Sequence, residues 1–192
     1  MKKIPSLFMR NYDGDRRVRN EVVPGSEWVI AGEGTATRKW DGMAILLKGG
    51  EVFKRYDAKT GRTPPPDFVP AQPEPDKETG HWPGWVPAGD DLRLKEALER
   101  GEYALADGTY ELCGPKVGTR HGANPEELTR HVLIKHGDYE LPACPRDYEG
   151  IRIYLRAGPY IEGVVWHHPD GRMVKIKASD FPVVDQSEVK PC

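Results

Sequence analysis

The sequence predicts an α+β fold of antiparallel hairpins with helices inserted between them. Two hairpins and the order of the elements carry that expectation. Met43–Lys48 (MAILLK) and Glu51–Tyr56 (EVFKRY) are strand-like runs joined by Gly49-Gly50, a two-residue connection suited to the positive φ angles of a tight hairpin. Ile161–His167 and Arg172–Lys177 flank a second turn, His168-Pro169-Asp170-Gly171. Helical signatures fall between hairpins rather than alternating with single strands, which argues against a parallel βαβ sheet.

In chain order, residues 1–26 are charged and turn-rich and read as an irregular opening segment. Glu27–Ala31 (EWVIA) reads as a short strand. Residues 57–90 are rich in proline and glycine, so no long helix runs through them. Phe68, Trp82 and Trp85 make this stretch more aromatic than a linker, and predict a structured loop pinned to the body. Asp90 or Asp91 caps a helix running to about Arg100, with Gly101 as its stop. Tyr103–Ala106 and Thr109–Cys113 read as strands around Asp107-Gly108. Asn124-Pro125-Glu126-Glu127 has the chemistry of a helix start, and that helix is expected to reach His136, before Gly137. A last helix is predicted over Tyr148–Arg156.

Composition narrows the function classes. Among 192 residues, 38% are hydrophobic and 30% charged, a foldable rather than disordered mixture. One domain over 1–192 is expected. The net charge of −2 gives no global basic field for nucleic acid, so any such contact must use a local basic face. The 3 cysteines, Cys113, Cys144 and Cys192, include no CxxC pair and argue against both a disulfide framework and a structural zinc site. The N-terminus lacks a sustained apolar run, and no stretch has membrane-spanning length. A soluble, cytoplasmic protein with no membrane partner is the expectation.

The residues that could carry chemistry begin with Lys39-Trp40-Asp41-Gly42. Alone, KxDG is weak, and Lys39 could be a surface lysine before a turn. Its companions follow in order: Lys54-Arg55-Tyr56, Tyr110-Glu111-Leu112-Cys113-Gly114, Glu162-Gly163-Val164-Val165 and Lys175-Ile176-Lys177. In this ordered set the chain resembles the lysine-dependent nucleotidyltransferases, the superfamily of DNA ligases, RNA ligases and mRNA capping enzymes. The resemblance spans Lys39–Lys177. Gly114-Pro115-Lys116-Val117, Asn124-Pro125-Glu126 and the ending KIK with Phe181 after it look RNA-ligase-like.

The resemblance implies an ATP-grasp-like nucleotidyltransferase core of antiparallel sheets with flanking helices. It also implies an ATP-dependent RNA ligase that joins 5′-phosphate and 3′-hydroxyl ends through a lysyl-AMP intermediate. ATP and Mg²⁺ are the implied cofactors, with Mn²⁺ able to substitute. Lys39 is then the nucleophile. Asp41 orients it or the metal, and Arg55 contacts ribose or phosphate. Glu111 accepts from a ribose hydroxyl, and Glu162 organises the metal directly or through water. Val164 forms an apolar floor under adenine, and Lys175 and Lys177 hold the α-phosphate. Lys116 and Arg120 are candidates for contacting RNA. The chemistry suits these residue types. A free lysine has a pKa near ~10.4 and must lose its proton to attack, which neighbouring cations favour.

Bland readings stand beside these roles: Glu162 as a strand-end charge, Arg55 as a cross-strand partner of an acid, and Lys175 and Lys177 as the exposed face of an alternating strand. His121, His131, His136, His167 and His168 could suggest a metal cluster, but adjacent histidines on a strand point to opposite faces. The short tail after Lys177 leaves no room for a C-terminal OB domain. RNA grip is then expected from the core surface, the 57–90 loop, Arg16, Arg17 and Arg19, or a partner protein or separate RNA-binding subunit. The alternatives are a DNA ligase, a GTP-using capping-type enzyme, or a non-catalytic nucleotide- or RNA-end-binding module.

Overall fold

The computed structural model describes residues 2–99, 105–118, 128–158 and 161–182. Its elements are β1 (Phe8–Arg10), β2 (Val18–Val22), α1 (Glu27–Ile30), β3 (Thr35–Lys39), β4 (Met43–Lys48), β5 (Glu51–Ala58), β6 (Val69–Pro70), β7 (Trp82–Pro87), α2 (Leu92–Glu99), β8 (Gly108–Cys113), β9 (Val132–Lys135), α3 (Tyr148–Ala157), β10 (Gly163–His167) and β11 (Met173–Lys177). A 3-10 turn, Ala178–Asp180, follows β11. The expected class holds: the fold is mixed, rich in sheet, and its named strands pair antiparallel. Backbone contacts divide the chain into two compact units, Met1–Ile4 with Trp40–Tyr139, and Pro5–Lys39 with Glu140–Cys192.

The first unit is a six-stranded sheet in the order β6-β7-β5-β4-β8-β9. Gly49 and Gly50 have φ of 60° and 81°, as the β4–β5 hairpin requires. Alternation turns Ile45, Leu47, Tyr110 and Leu112 to one side, where Leu94 and Ala97 of α2 close the core over them. The aromatic loop is pinned as its composition predicts. Phe68 packs edge-on against Tyr56 and Trp82, with ring centroids 6.0 and 5.5 Å apart. Part of its second half is sheet, since β7 pairs with β5 from Phe53 to Ala58.

The second unit is a three-stranded sheet in the order β11-β10-β3, with the β1–β2 hairpin and α3 packed against it. Both sheet edges are covered. Lys175 N–H donates to Pro5 O and Leu7 N–H to Lys175 O, while Leu141 N–H donates to Ala36 O. Val164, Trp166, Val174 and Ile176 form the core face with Leu7, Phe8, Ile151 and Leu155. Asp147 caps α3 by accepting from Gly150 N–H at 2.8 Å. Trp166 is fully buried, and its Nε1 has no partner among the described residues, so truncation removes packing rather than a hydrogen bond. Trp166→Ala is expected to cost about 3–5 kcal/mol, read as a lower urea midpoint for the transition that reports this unit.

Three expectations are corrected. Glu27–Ile30 is one helical turn rather than a strand, its two buried residues Trp28 and Val29 being adjacent rather than alternating. The opening segment is not irregular: it contains the β1–β2 hairpin, whose Arg19-Asn20-Glu21 run is exposed and so carries no apolar signal. Val132–Lys135 is a strand rather than the end of a helix, because its Val-Leu-Ile run pairs with β8. The helix start at 124–127, Arg120, His121, Tyr103 and Cys192 lie outside the described residues. Cys113 and Cys144 are buried, and burial pushes the Cys144 thiol up to about 11, which makes it unreactive.

Candidate active site

Strand register in the second unit gathers the lysines. In β10, Gly163 lies opposite Lys39 on one side and Lys177 on the other. Val165, two residues on, lies between Thr37 and Lys175. Since alternate residues share a face, Lys39, Thr37, Lys175 and Lys177 all stand on one side of the sheet. Gly163 sits in the middle of the lysine row because nothing larger fits: a Cβ there would collide with the Ile176 carbonyl. Its lack of a side chain leaves a gap between Lys39 and Lys177.

Glu162, just before β10, supplies the carboxylate. Its Oε2 accepts from Lys39 Nζ at 2.5 Å, and its backbone carbonyl accepts from Ala178 N–H at 2.8 Å. Behind the lysines, the 3-10 turn folds buried Asp180 back, so that Oδ2 accepts from Lys177 N–H at 2.9 Å. The Oδ1 of Asp180 pairs with Arg10 at 2.6 Å, and Arg17 donates to Ser179 O. Burial pushes the Lys175 ammonium down to about 8, and the charges of Lys39 and Lys177 push the same way against Glu162 and Asp180. The result is a cation-dense face with Glu162 set among the lysines and Glu140 beside Thr37 at its edge, suited to an oxyanion-rich ligand.

Val164 is not on this face. It is fully buried in the core between Arg38 and Ile176 in register, so it cannot floor a base beside the lysines. The valine of the lysine face is Val165. His167 and His168 diverge as their adjacency predicts: His167 Nε2 meets Thr37 Oγ1 at 3.1 Å, whereas His168 pairs with Glu33 and Asp170.

In the first unit, the face of the six-stranded sheet away from α2 carries Arg55 and Glu111. Ala44 lies opposite Glu111, and Glu111 opposite Ile134. Ile45 pairs with Lys54, so continuing that register by one residue sets Arg55 beside Ala44, and Trp85 lies opposite Arg55 on β7. One row therefore reads Trp85, Arg55, Ala44, Glu111, Ile134. Arg55 and Glu111 are two strand spacings apart, about 10 Å, across the small Ala44. Arg55 lies 5.8 Å from the Trp85 ring centroid and pairs with Asp57 at 2.9 Å. Glu111 is buried and meets His136 Nε2 at 2.8 Å.

The KxDG segment contributes to this unit through its last residues. A Cβ on Gly42 would collide with the Leu112 carbonyl and come within 2.9 Å of Glu111 Cγ, so only glycine lets β4 start this close to β8. Asp41 is buried, and a Cβ on Gly118 would come within 3.0 Å of its Cγ. Lys116 is exposed at a turn, with a φ of 61°. Two further residues stand beside the expected site residues: Thr37, two positions before Lys39 on the same face and not named from sequence, and His136, weighed there only within a histidine cluster, against Glu111. Period-2 alternation could have found Thr37. His136 was hidden by the helix expected at 124–136.

Among the described residues, no three His, Cys, Asp or Glu side chains gather to hold a metal ion. Mg²⁺ commonly binds one or two carboxylates and completes its shell with water and phosphate oxygens. Glu162 beside a lysine face fits a cation that arrives with phosphates.

An antiparallel sheet presenting alternate lysines around Glu162 defines a lysine-rich face suited to oxyanions. No family model matches the chain. Among curated proteins it is similar to RNA ligase 1 of Danio rerio, 28% identical over 168 residues that cover 62% of this chain and 51% of the relative. RNA ligase 1 of Pongo abelii is 27% identical over 139 residues, covering 56% and 42%, and that of Rattus norvegicus 28% over 141 residues, covering 55% and 42%. The chain spans about half the length, or less, of these curated relatives. It is a distant relative of the RNA ligases. Among the described residues, no helix is long and apolar enough to cross a membrane.

Proposed function

We propose that this chain is the nucleotidyltransferase core of an ATP-dependent RNA ligase, with Lys39 as the nucleophile. The observation that supports it most is the convergence of Lys39, Lys175 and Lys177 on one sheet face around Glu162. Lys39 is more than a hundred positions from the other three in sequence, and the similarity to RNA ligases does not depend on that geometry.

On this reading the deprotonated Nζ of Lys39 attacks the α-phosphorus of ATP. A P–N bond forms, the bond to the β-phosphate oxygen breaks, and pyrophosphate leaves with the displaced electron pair. Lys175 and Lys177 neutralise the phosphate oxygens as charge develops. Glu162 holds Lys39 as an ion pair before nucleotide arrives. Turned away from Lys39, Glu162 would free the nucleophile to approach the α-phosphorus between Lys175 and Lys177. Glu162 would hold Mg²⁺ or Mn²⁺ together with the phosphates, and the ion would supply charge neutralisation at the leaving group. Arg55 and Glu111 contact the nucleotide sugar or phosphates. AMP then passes to an RNA 5′-phosphate as the lysine nitrogen leaves and is reprotonated, and a 3′-hydroxyl displaces AMP to seal the strand.

The test is incubation with α-labelled ATP or GTP and Mg²⁺, followed by denaturing electrophoresis and then by presentation of 5′-phosphate and 3′-hydroxyl ends of RNA or DNA. Covalent label from ATP and sealing of RNA are expected. Absence of a covalent adduct with every nucleoside triphosphate would overturn the proposal. Glu162→Ala is expected to slow adduct formation on the order of 100-fold, most visibly at limiting Mg²⁺. An unchanged rate there would remove Glu162 from its role.

A further inference from the structure

We propose that His136 is a positioning residue that holds the Glu111 carboxylate for recognition of a ribose hydroxyl, and so sets a preference for ribonucleotides over deoxyribonucleotides. The inference rests on the nucleotidyltransferase reading of Glu111 and adds a residue and a specificity to it.

His136 is fixed at two points. Its backbone N–H donates to Thr109 O at 3.1 Å, which extends the β8–β9 pairing one step past Lys135. That step puts its side chain on the same sheet face as Ile134 and Glu111. Its Nε2 then meets Glu111 Oε2 at 2.8 Å. Its Nδ1 is buried and has no hydrogen-bond partner among the described residues. The arrangement that fits is the tautomer with hydrogen on Nε2, donating to Glu111, since hydrogen on Nδ1 would leave a buried donor unmade.

A carboxylate accepts several hydrogen bonds, and this one uses Oε2 for His136. The Glu111 stem is confined on another side by Gly42, where even one added carbon would come within 2.9 Å of Cγ. Held at its stem and at one oxygen, Glu111 keeps the second oxygen in a defined direction as an acceptor. The next residue along the row is Ala44, whose methyl group leaves room before Arg55. A sugar hydroxyl is a neutral donor of matching size, and a fixed charged acceptor discriminates strongly against an analogue lacking that hydroxyl.

The experiment compares ATP with 2′-deoxy-ATP and 3′-deoxy-ATP on the full chain in two ways: equilibrium binding to a Lys39→Ala background, and adduct formation on the intact lysine. Wild type is expected to favour ATP over one deoxy analogue by roughly 10- to 100-fold. His136→Ala is expected to erase most of that ratio by weakening ATP and leaving the deoxy analogue nearly unchanged. His136→Gln, whose amide can still donate, is expected to keep a larger share of it. Equal losses for all three nucleotides, or an unchanged ratio, would overturn the inference while leaving the ligase reading standing. No binding of any nucleoside triphosphate by wild type would overturn both.

Discussion

Lys39→Ala is expected to leave a folded protein that never acquires label from ATP, the rate of adduct formation falling about 10³-fold or more, to background. The fold survives because Lys39 ends β3 with its side chain 23% exposed, so truncation opens no core cavity. Glu162 loses its ion-pair partner but remains on a face that also carries Lys175 and Lys177. Nucleotide binding is expected to weaken modestly, since those two cations remain. Lys39→Arg makes the sharper comparison. It retains a cation able to pair with Glu162, but a guanidinium does not deprotonate in a protein and cannot serve as the nucleophile. It is expected to fold, to bind ATP and to remain unlabelled. Intact-mass measurement after ATP and Mg²⁺ treatment reads all of these, and an AMP-sized increment on either variant would move the nucleophile elsewhere.

Such a test is available because part of the site was legible without coordinates. Lys175 and Lys177 are two apart in a strand, so period-2 alternation alone puts them on one face. The β4–β5 and β10–β11 hairpins were legible from their turns, and α2 from its aspartate cap and glycine stop. What no local pattern contains is partner choice. That Gly163 lies beside Lys39 depends on pairing strands more than a hundred residues apart, and the alignment of Ala44 with Glu111 depends on β4 pairing with β8 across the whole intervening loop and α2.

The misreadings have physical causes too. Glu27–Ile30 is too short for its period to separate helix from strand. Val164 and Val165 both look apolar in sequence, and only the register shows which one enters the core. His136 was drawn into a helix by the capping residues at 124–127. Its place beside Glu111 follows instead from Val132–Ile134, a strand-forming run that finds β8.

The second large effect has opposite signs for stability and for chemistry. Lys175→Met is expected to stabilise the protein at neutral pH and to impair adenylylation. Lys175 has an ordinary value of 10.5 that burial, reinforced by Lys39 and Lys177, lowers to about 8 in the folded state. The unfolded chain therefore holds this proton more tightly than the folded one, so the group opposes folding below about 8. That penalty fades as pH rises from about 8 toward 10.5, where both states have released the proton. The shift corresponds to on the order of 3 kcal/mol. Methionine keeps an unbranched apolar stem and removes the charge. The variant is expected to show a higher urea midpoint at pH 7, with an unchanged slope, and its advantage should shrink above pH 8. A variant no more stable than wild type at pH 7, or an advantage independent of pH, would show that the Lys175 charge costs the fold nothing. In the same protein, adduct formation is expected to fall by on the order of 100-fold, because the removed charge is one of the two assigned to the α-phosphate. A stabilised but slow enzyme would mark Lys175 as a cation kept for chemistry at the expense of the fold, since a lysine retained only for packing would be improved by methionine in both respects.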